Sequence, residues 1–95
     1  MPERNTAAKR ARQAEERRLR NAAVRSAMRT AMRRFREALQ AGNLEEASVR
    51  LQKAISMVDR AASKGAIHRN QADRRKARLQ KRYNQALGQQ TEKAG

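Results

Sequence analysis

Apolar side chains recur from Val24 onward as Val24, Met28, Ala31/Met32, Phe35 and Ala38/Leu39. Steps of three and four residues place them on one stripe of an α-helix. Before Val24 that pattern stops. Between Lys9 and Arg20 the only bulky apolar side chain is Leu19, set among Ala, Gln, Glu and six basic residues. Residues 9–39 contain no Gly and no Pro, and Ala, Arg, Gln, Glu and Met all favour helix. One helix, from about residue 6 to 41, is therefore expected to cover both stretches. Only its second half has a face to bury. The first half reads as a basic arm.

Gly42 is the only Gly in the first 64 residues, and glycine is the usual residue just beyond a helix C-terminus. Asn43 follows as an N-cap, with Glu46 in capping-box position and Glu45 also near the positive helix end. A tight reversal at 41–43 should make the first two helices antiparallel neighbours. The second helix is expected from about Leu44 to Ala62, burying Leu44, Ala47, Leu51, Ala54/Ile55, Val58 and Ala61/Ala62. Val49 and Met57 fall off that stripe. Ser63-Lys64-Gly65 should end it, and Asn70 is the expected N-cap of a third helix, with Asp73 in its first turn. That helix would bury Ala72, Leu79, Tyr83 and Ala86/Leu87 beside the stems of Arg75 and Lys76, and close at Gly88. No strand pattern is present. The expected fold is all-α: an up-down-up three-helix bundle with an over-long basic first helix. Its parts are a projecting arm (4–23), the bundle (24–88) and a disordered tail (89–95).

Composition makes the core thin. Leu, Ile, Val and Phe number twelve in 95 residues, below the roughly 20% at which disorder becomes a serious alternative for a highly charged chain. The helical periodicity and nineteen Ala argue for order. The net charge of +15 opposes compaction, so part of the order should come from a partner.

Charge is unevenly placed. Residues 1–36 net +9, residues 37–62 net −1 and residues 63–95 net +7. Two basic ends around a neutral middle suggest that both ends meet one polyanion while the middle element faces water. Arg25, Arg29, Arg33 and Arg36 share a ridge at steps of four, four and three. Lys9, Arg10, Arg12, Arg17, Arg18 and Arg20 surround the arm, and Arg74, Arg75, Lys76, Arg78, Lys81 and Arg82 form a second patch. Solvated faces normally mix signs; these do not. Aromatics are 2%, and Phe35 and Tyr83 are claimed by the core, so a stacking platform for single-stranded bases is missing. Duplex RNA or DNA read through backbone and shape fits better. A preponderance of Arg suits bidentate phosphate contacts. The arm offers a membrane only Ala opposite its bases, and no apolar run approaches 18 residues.

Other chemistry finds little support. There is no Cys, one His, and the two Asp residues lie on different helices. No phosphate loop, metal-ligand spacing or nucleophile–base pair is present, so no catalysis, metal, cofactor or small-molecule substrate is expected. His68 reads as a turn histidine bonding locally or to a phosphate, and Asp59 as a local ion pair or a brace for the following turn. The absence of disulfides and of a contiguous apolar leader fits an intracellular location.

Residues 57–79, MVDRAASKGAIHRNQADRRKARL, resemble the signature of the bacterial small-subunit ribosomal protein S-twenty family. Asp59, Arg60, Lys64, Gly65, Ile67, His68, Arg69, Asn70, Ala72, Arg74, Lys76 and Leu79 agree in type and spacing. Ala8-Lys9-Arg10, Gln13, Glu15, Asn21, Arg25-Ser26, Arg29-Thr30 and Ala41-Gly42 extend the agreement in unbroken register. The resemblance implies a three-helix, non-enzymatic protein that binds small-subunit (16S) ribosomal RNA early in assembly and bridges RNA helices among other small-subunit components in the cytoplasm. Charge layout and resemblance together give the expected RNA contacts: Lys9, Arg10, Arg12, Arg17, Arg18, Arg20, Arg25, Arg29, Arg33, Lys64, His68, Arg69, Asn70, Arg74, Arg75, Lys76 and Arg78. A nucleoid-type protein bridging duplex DNA, or an adaptor for an acidic protein, would share the charge and the helices.

Overall fold

The computed structural model describes residues 2–94, with side chains from 6 to 89. The arm's first side chains, 2–5, and those of the tail from 90 onward lie outside the described residues. Three helices follow in order: α1 (Pro2–Gln40), α2 (Leu44–Ser63) and α3 (Arg69–Ala94). Proline at the first helical position loses no intrahelical bond, so α1 starts earlier than its apolar pattern does.

The apolar stripes bury largely as their spacing predicts, but Leu44, Ala62 and Ala86 are only half-buried and Leu87, expected in the α3 stripe, is exposed. Met28, Ala31, Met32, Phe35 and Ala38 of α1 meet Ala47, Leu51, Ala54, Val58 and Ala61 of α2, with Val24, Leu39 and Ile55 packed at the margin. From α3 come Ala72 and Leu79, with Tyr83 partly buried beside them. Both other helices pack along α2, whereas α1 and α3 barely meet. The element expected to face water is thus the central one, although much of its outer surface stays exposed. Met57, off the expected stripe, is half-buried against the core, in a groove between α1 and α2 that Ala23, Ala27 and Thr30 also line.

Both turns are closed by glycine with positive φ, Gly42 at 76° and Gly65 at 75°. At the first, Gly42 N–H donates to Leu39 O (3.0 Å) and Asn43 N–H to Ala38 O (3.1 Å); at the second, Gly65 N–H donates to Ala62 O (3.0 Å) and Ala66 N–H to Ala61 O (2.8 Å). These are paired Schellman bonds that satisfy the last carbonyls of α1 and α2. Asn43 caps α2, accepting from Glu46 N–H at 3.1 Å. The reciprocal half of the capping box does not form. Asn43 N–H is already held by Ala38 O, and the Glu46 carboxylate takes Arg50 Nε at 2.8 Å instead.

Two expectations for α3 change. Its cap is His68, not Asn70: the helix begins at Arg69, His68 O accepts from Ala72 N–H at 3.1 Å, and His68 Nδ1 accepts from Asn70 N–H at 3.0 Å. Asn70 is two residues too late because Ala66 and Ile67 are drawn into the core, which brings the chain to helical geometry immediately after His68. Nor does Gly88 close the helix, whose backbone continues to Ala94 over the stretch expected to form a disordered tail. A glycine inside a helix costs only about 1 kcal/mol, and no proline follows to enforce a stop.

The molecule is long. Its Cα extents are 75 × 22 × 13 Å and its radius of gyration is 18.8 Å, against roughly 12 Å for a compact chain of this size. α1 alone runs about 58 Å at 1.5 Å per residue. Every described side chain from Thr6 to Arg20 is exposed, so the first half of α1 projects without packing.

His68→Ala should destabilise the free protein by about 0.5–2 kcal/mol, the usual loss for an N-cap. Asn70→Ala, which removes an exposed side chain inside the first turn, should change stability by less than about 0.5 kcal/mol. Chemical denaturation of both variants checks the assignment; a larger loss at Asn70 would reverse it.

Candidate nucleic-acid interface

The exposed arm presents Lys9, Arg10, Arg12, Arg17 and Arg20 with no acidic partner among the described residues. A helix places neighbouring residues about 100° apart, so these bases surround the rod rather than forming one stripe. Arg18 differs. It forks onto Glu15, with Nη2–Oε1 at 2.6 Å and Nε–Oε2 at 3.1 Å, and that hydrogen bonding raises its already high pKa.

Beyond the arm, the ridge on α1 divides by role. Arg25 is half-buried and its Nη1 donates to Ala66 O at 3.1 Å, fastening the α2–α3 connection to α1. This ties the exit of the arm to the end of the bundle where α2 turns into α3. Arg33 is loosely paired with Glu37 at 3.7 Å. Arg29 stays exposed with no carboxylate beside it among the described residues.

The basic patch of α3 divides too. Lys76 reaches Asp59 of α2 at 2.8 Å and Asp73 at 3.9 Å, and its side chain is only about a third exposed. Asp59 thus braces the helix after the turn rather than pairing with Arg60. Lys64, Arg69 and Arg74 remain exposed around the start of α3, beside the His68 ring and the Asn70 carboxamide. Because His68 Nδ1 accepts a hydrogen bond, that nitrogen carries no proton and the ring's donor is Nε2.

On the side where α3 approaches α1, Arg75 and Arg78 meet two arginines outside the expected contact set. Arg36 from α1 and Arg82 from α3 join them around a cleft of about 180 Å³, with Met32 and Leu79 completing its lining. No acidic residue lines this cleft. Arg36 and Arg82 were visible in the sequence as members of their basic clusters, but only the packing of α3 on the bundle brings them together.

Among the described residues, no group of three or more His, Cys, Asp or Glu side chains could hold a metal ion. No helix in the same range is long and apolar enough to cross a membrane.

Asp59→Asn should lower stability by about 0.2–1 kcal/mol, discounted for the exposure of the pair, and the loss should vanish at high salt. Urea melts of the wild type and the variant at low and high ionic strength measure it. A salt-independent loss would mean that Asp59 acts by something other than its pairing with Lys76.

The profile of the family described as Ribosomal protein S20 matches residues 2–84. The chain is 51% identical over 84 residues to the small ribosomal subunit protein bS20 of Thermomicrobium roseum, covering 88% of this chain and 85% of that relative. Against the bS20 of Heliobacterium modesticaldum it is 46% identical over 87 residues, 92% of this chain and 99% of the relative. The bS20 of Hydrogenobaculum sp. is 45% identical over 93 residues, 98% and 100% of the two chains. With its three helices, its turns and its unbalanced bases in place, this chain belongs to the ribosomal protein S20 family.

Proposed function

We propose that the protein is a structural component of the small ribosomal subunit, that it binds ribosomal RNA directly, and that it bridges RNA helices as the subunit assembles in the cytoplasm. The observation that carries this reading is the separation of two basic surfaces along the molecule, one on the projecting arm of α1 and one on the bundle. The arm displays Lys9, Arg10, Arg12, Arg17 and Arg20 at one end, and the α1–α3 side displays Arg29, Arg36, Arg75, Arg78 and Arg82 along the bundle. Lys64, Arg69 and Arg74 lie between them, with His68 Nε2 and Asn70 available as hydrogen-bonding groups. Arg33 can join the same surface because its pairing with Glu37 is weak. Arg18, Arg25 and Lys76 serve the fold first, through Glu15, Ala66 and Asp59. These contacts address phosphate and shape; the named set contains no Phe, Tyr or Trp to serve as a stacking platform for bases.

If about ten of these cations each neutralise one phosphate, log K should fall with log salt at a slope of about −7 to −9. Filter binding to small-subunit ribosomal RNA across a salt series measures it. A slope shallower than about −3 would show that charge is not the main term. Equal affinity for bulk duplex DNA at the same salt would favour a DNA-bridging protein instead. Co-sedimentation with small subunits that is lost on nuclease treatment separates RNA binding from docking on an acidic protein.

The arm should gain order from RNA. Its helix buries no side chain, and isolated helices of this length are marginal in water even when rich in Ala. In the free protein, amides 9–20 should therefore exchange far faster than those of 24–39, and become protected in the complex. Strong protection across 9–20 without RNA would sink this reading. Pro at both Ala11 and Ala14 should spare the free protein's melting point while weakening RNA binding.

A further inference from the structure

The cleft between α1 and α3 carries more positive charge than a single phosphate can balance. Arg36, Arg75, Arg78 and Arg82 converge on it from two helices, over the buried side chains of Met32 and Leu79. Arg36 and Arg75 are half-buried, so their like charges are less screened than those on the arm. On the bundle, several bases are paired with acids: Arg33 with Glu37, Arg50 with Glu46, and Lys76 with Asp59. Here none of the four is paired among the described residues. All four are arginines, whose planar forks hold phosphate oxygens two at a time. The volume of about 180 Å³ corresponds to roughly six water molecules and falls short of the about 300 Å³ at which organic-ligand pockets begin. It suits phosphate groups without their bases.

We propose that this cleft seats two crowded RNA phosphates at once, of the kind that face each other across the narrow major groove of an A-form duplex. The proposal rests on the reading of the protein as an RNA binder and adds the place and form of one contact. The arginines stand on two helices, Arg36 on α1 and Arg75, Arg78 and Arg82 on α3, so each side of the cleft can hold one backbone. Two backbones converging on a narrow groove deliver two charges within the span of the four forks. The same cleft then favours A-form RNA over B-form DNA, whose major groove is wide.

Inorganic pyrophosphate, two linked phosphate groups, is the probe for the full chain. Its effect on the melting temperature is compared with NaCl at equal ionic strength in three proteins. These are the wild type, Arg36→Gln/Arg82→Gln, and a charge-matched control, Lys53→Gln/Arg60→Gln. The wild type and control should rise by several degrees more in pyrophosphate than in NaCl, and the cleft variant should lose most of that excess. The cleft variant should also bind A-form duplex RNA about tenfold more weakly, with a smaller loss on B-form DNA of the same sequence. Should the double variant not melt cooperatively, Arg82→Lys keeps the charge but removes one fork, and should lose a clear part of the excess. An excess equal in the cleft variant and the wild type, or no excess in the wild type, overturns the seat as an adventitious charged surface. Loss of the excess with unchanged RNA affinity means the cleft takes free anions, which overturns RNA phosphates as its occupant. A wild type that binds pyrophosphate but no RNA overturns the RNA reading and this contact's RNA occupant together, leaving only an anion seat.

Discussion

The seam between α1 and α2 holds this molecule together, and its spacing decides what the rest can be. On α1 it runs through positions 24, 28, 31, 35 and 38, and on α2 through 47, 51, 54, 58 and 61. Both series alternate steps of four and three, the repeat that keeps two helices in contact with a slight supercoil. Counted outward from the turn, Ala38 and Ala47 are equidistant, as are Ala31 and Ala54. Small side chains at such positions let the helix axes approach closely, and Phe35, Met28, Leu51 and Val58 fill the space between. The seam ends at Val24. A helix of 39 residues held along only its last 17 must project, and the projecting part must be soluble without packing. That is why the arm is Ala and charge.

The same thin core governs where the nine acids go. Most described carboxylates sit beside a base that helps order a helix or a helix pair: Glu46 with Arg50, Glu37 with Arg33, Asp59 with Lys76 across α2 and α3. Such pairs are worth little individually at these exposures. Their effect is to clear the neutral middle of net charge, so that α2 can lie between two basic helices. The excess of bases is left on the arm and on the side where α3 meets α1. Repulsion there opposes the free fold, and a bound polyanion would relieve it, linking the marginal core to the proposed partner.

Local signals made much of this legible beforehand. The two buried stripes, the reversals at Gly42 and Gly65 and the Asn43 cap follow from rules that act within one or two helical turns, and the sequence carries them openly. What was hidden depends on residues far apart in the chain. The Arg25 bond to Ala66 O spans 41 residues, and the Asp59–Lys76 pair joins two helices. Both remove a base from the freely available set. The placing of Arg36 beside Arg75, Arg78 and Arg82 also required knowing which side of α3 packs toward α1. The misplaced cap has a different cause. Asn is the more usual capping residue, and a His whose Nδ1 takes that role gives no strong sequence signal.

The connection at 64–68 sets both the end of the bundle and the placement of the exposed residues beside it. Gly65 supplies the left-handed backbone that lets α2 end, Ala66 and Ile67 bury against the bundle, and His68 starts α3. Arg25 then fixes the Ala66 carbonyl to α1 at the point where the arm departs. Each of these residues faces inward or bonds within the turn. Lys64 before them and Arg69 and Asn70 after them remain on the surface. The block that sets the angle of the connection is therefore flanked on both sides by residues that it displays. Changing Ile67 or Gly65 would move the displayed residues without altering their chemistry, so their placement depends on geometry that no exposed side chain supplies. The arm and α3 leave this one junction, and their relative direction is set by five consecutive residues and one arginine from α1.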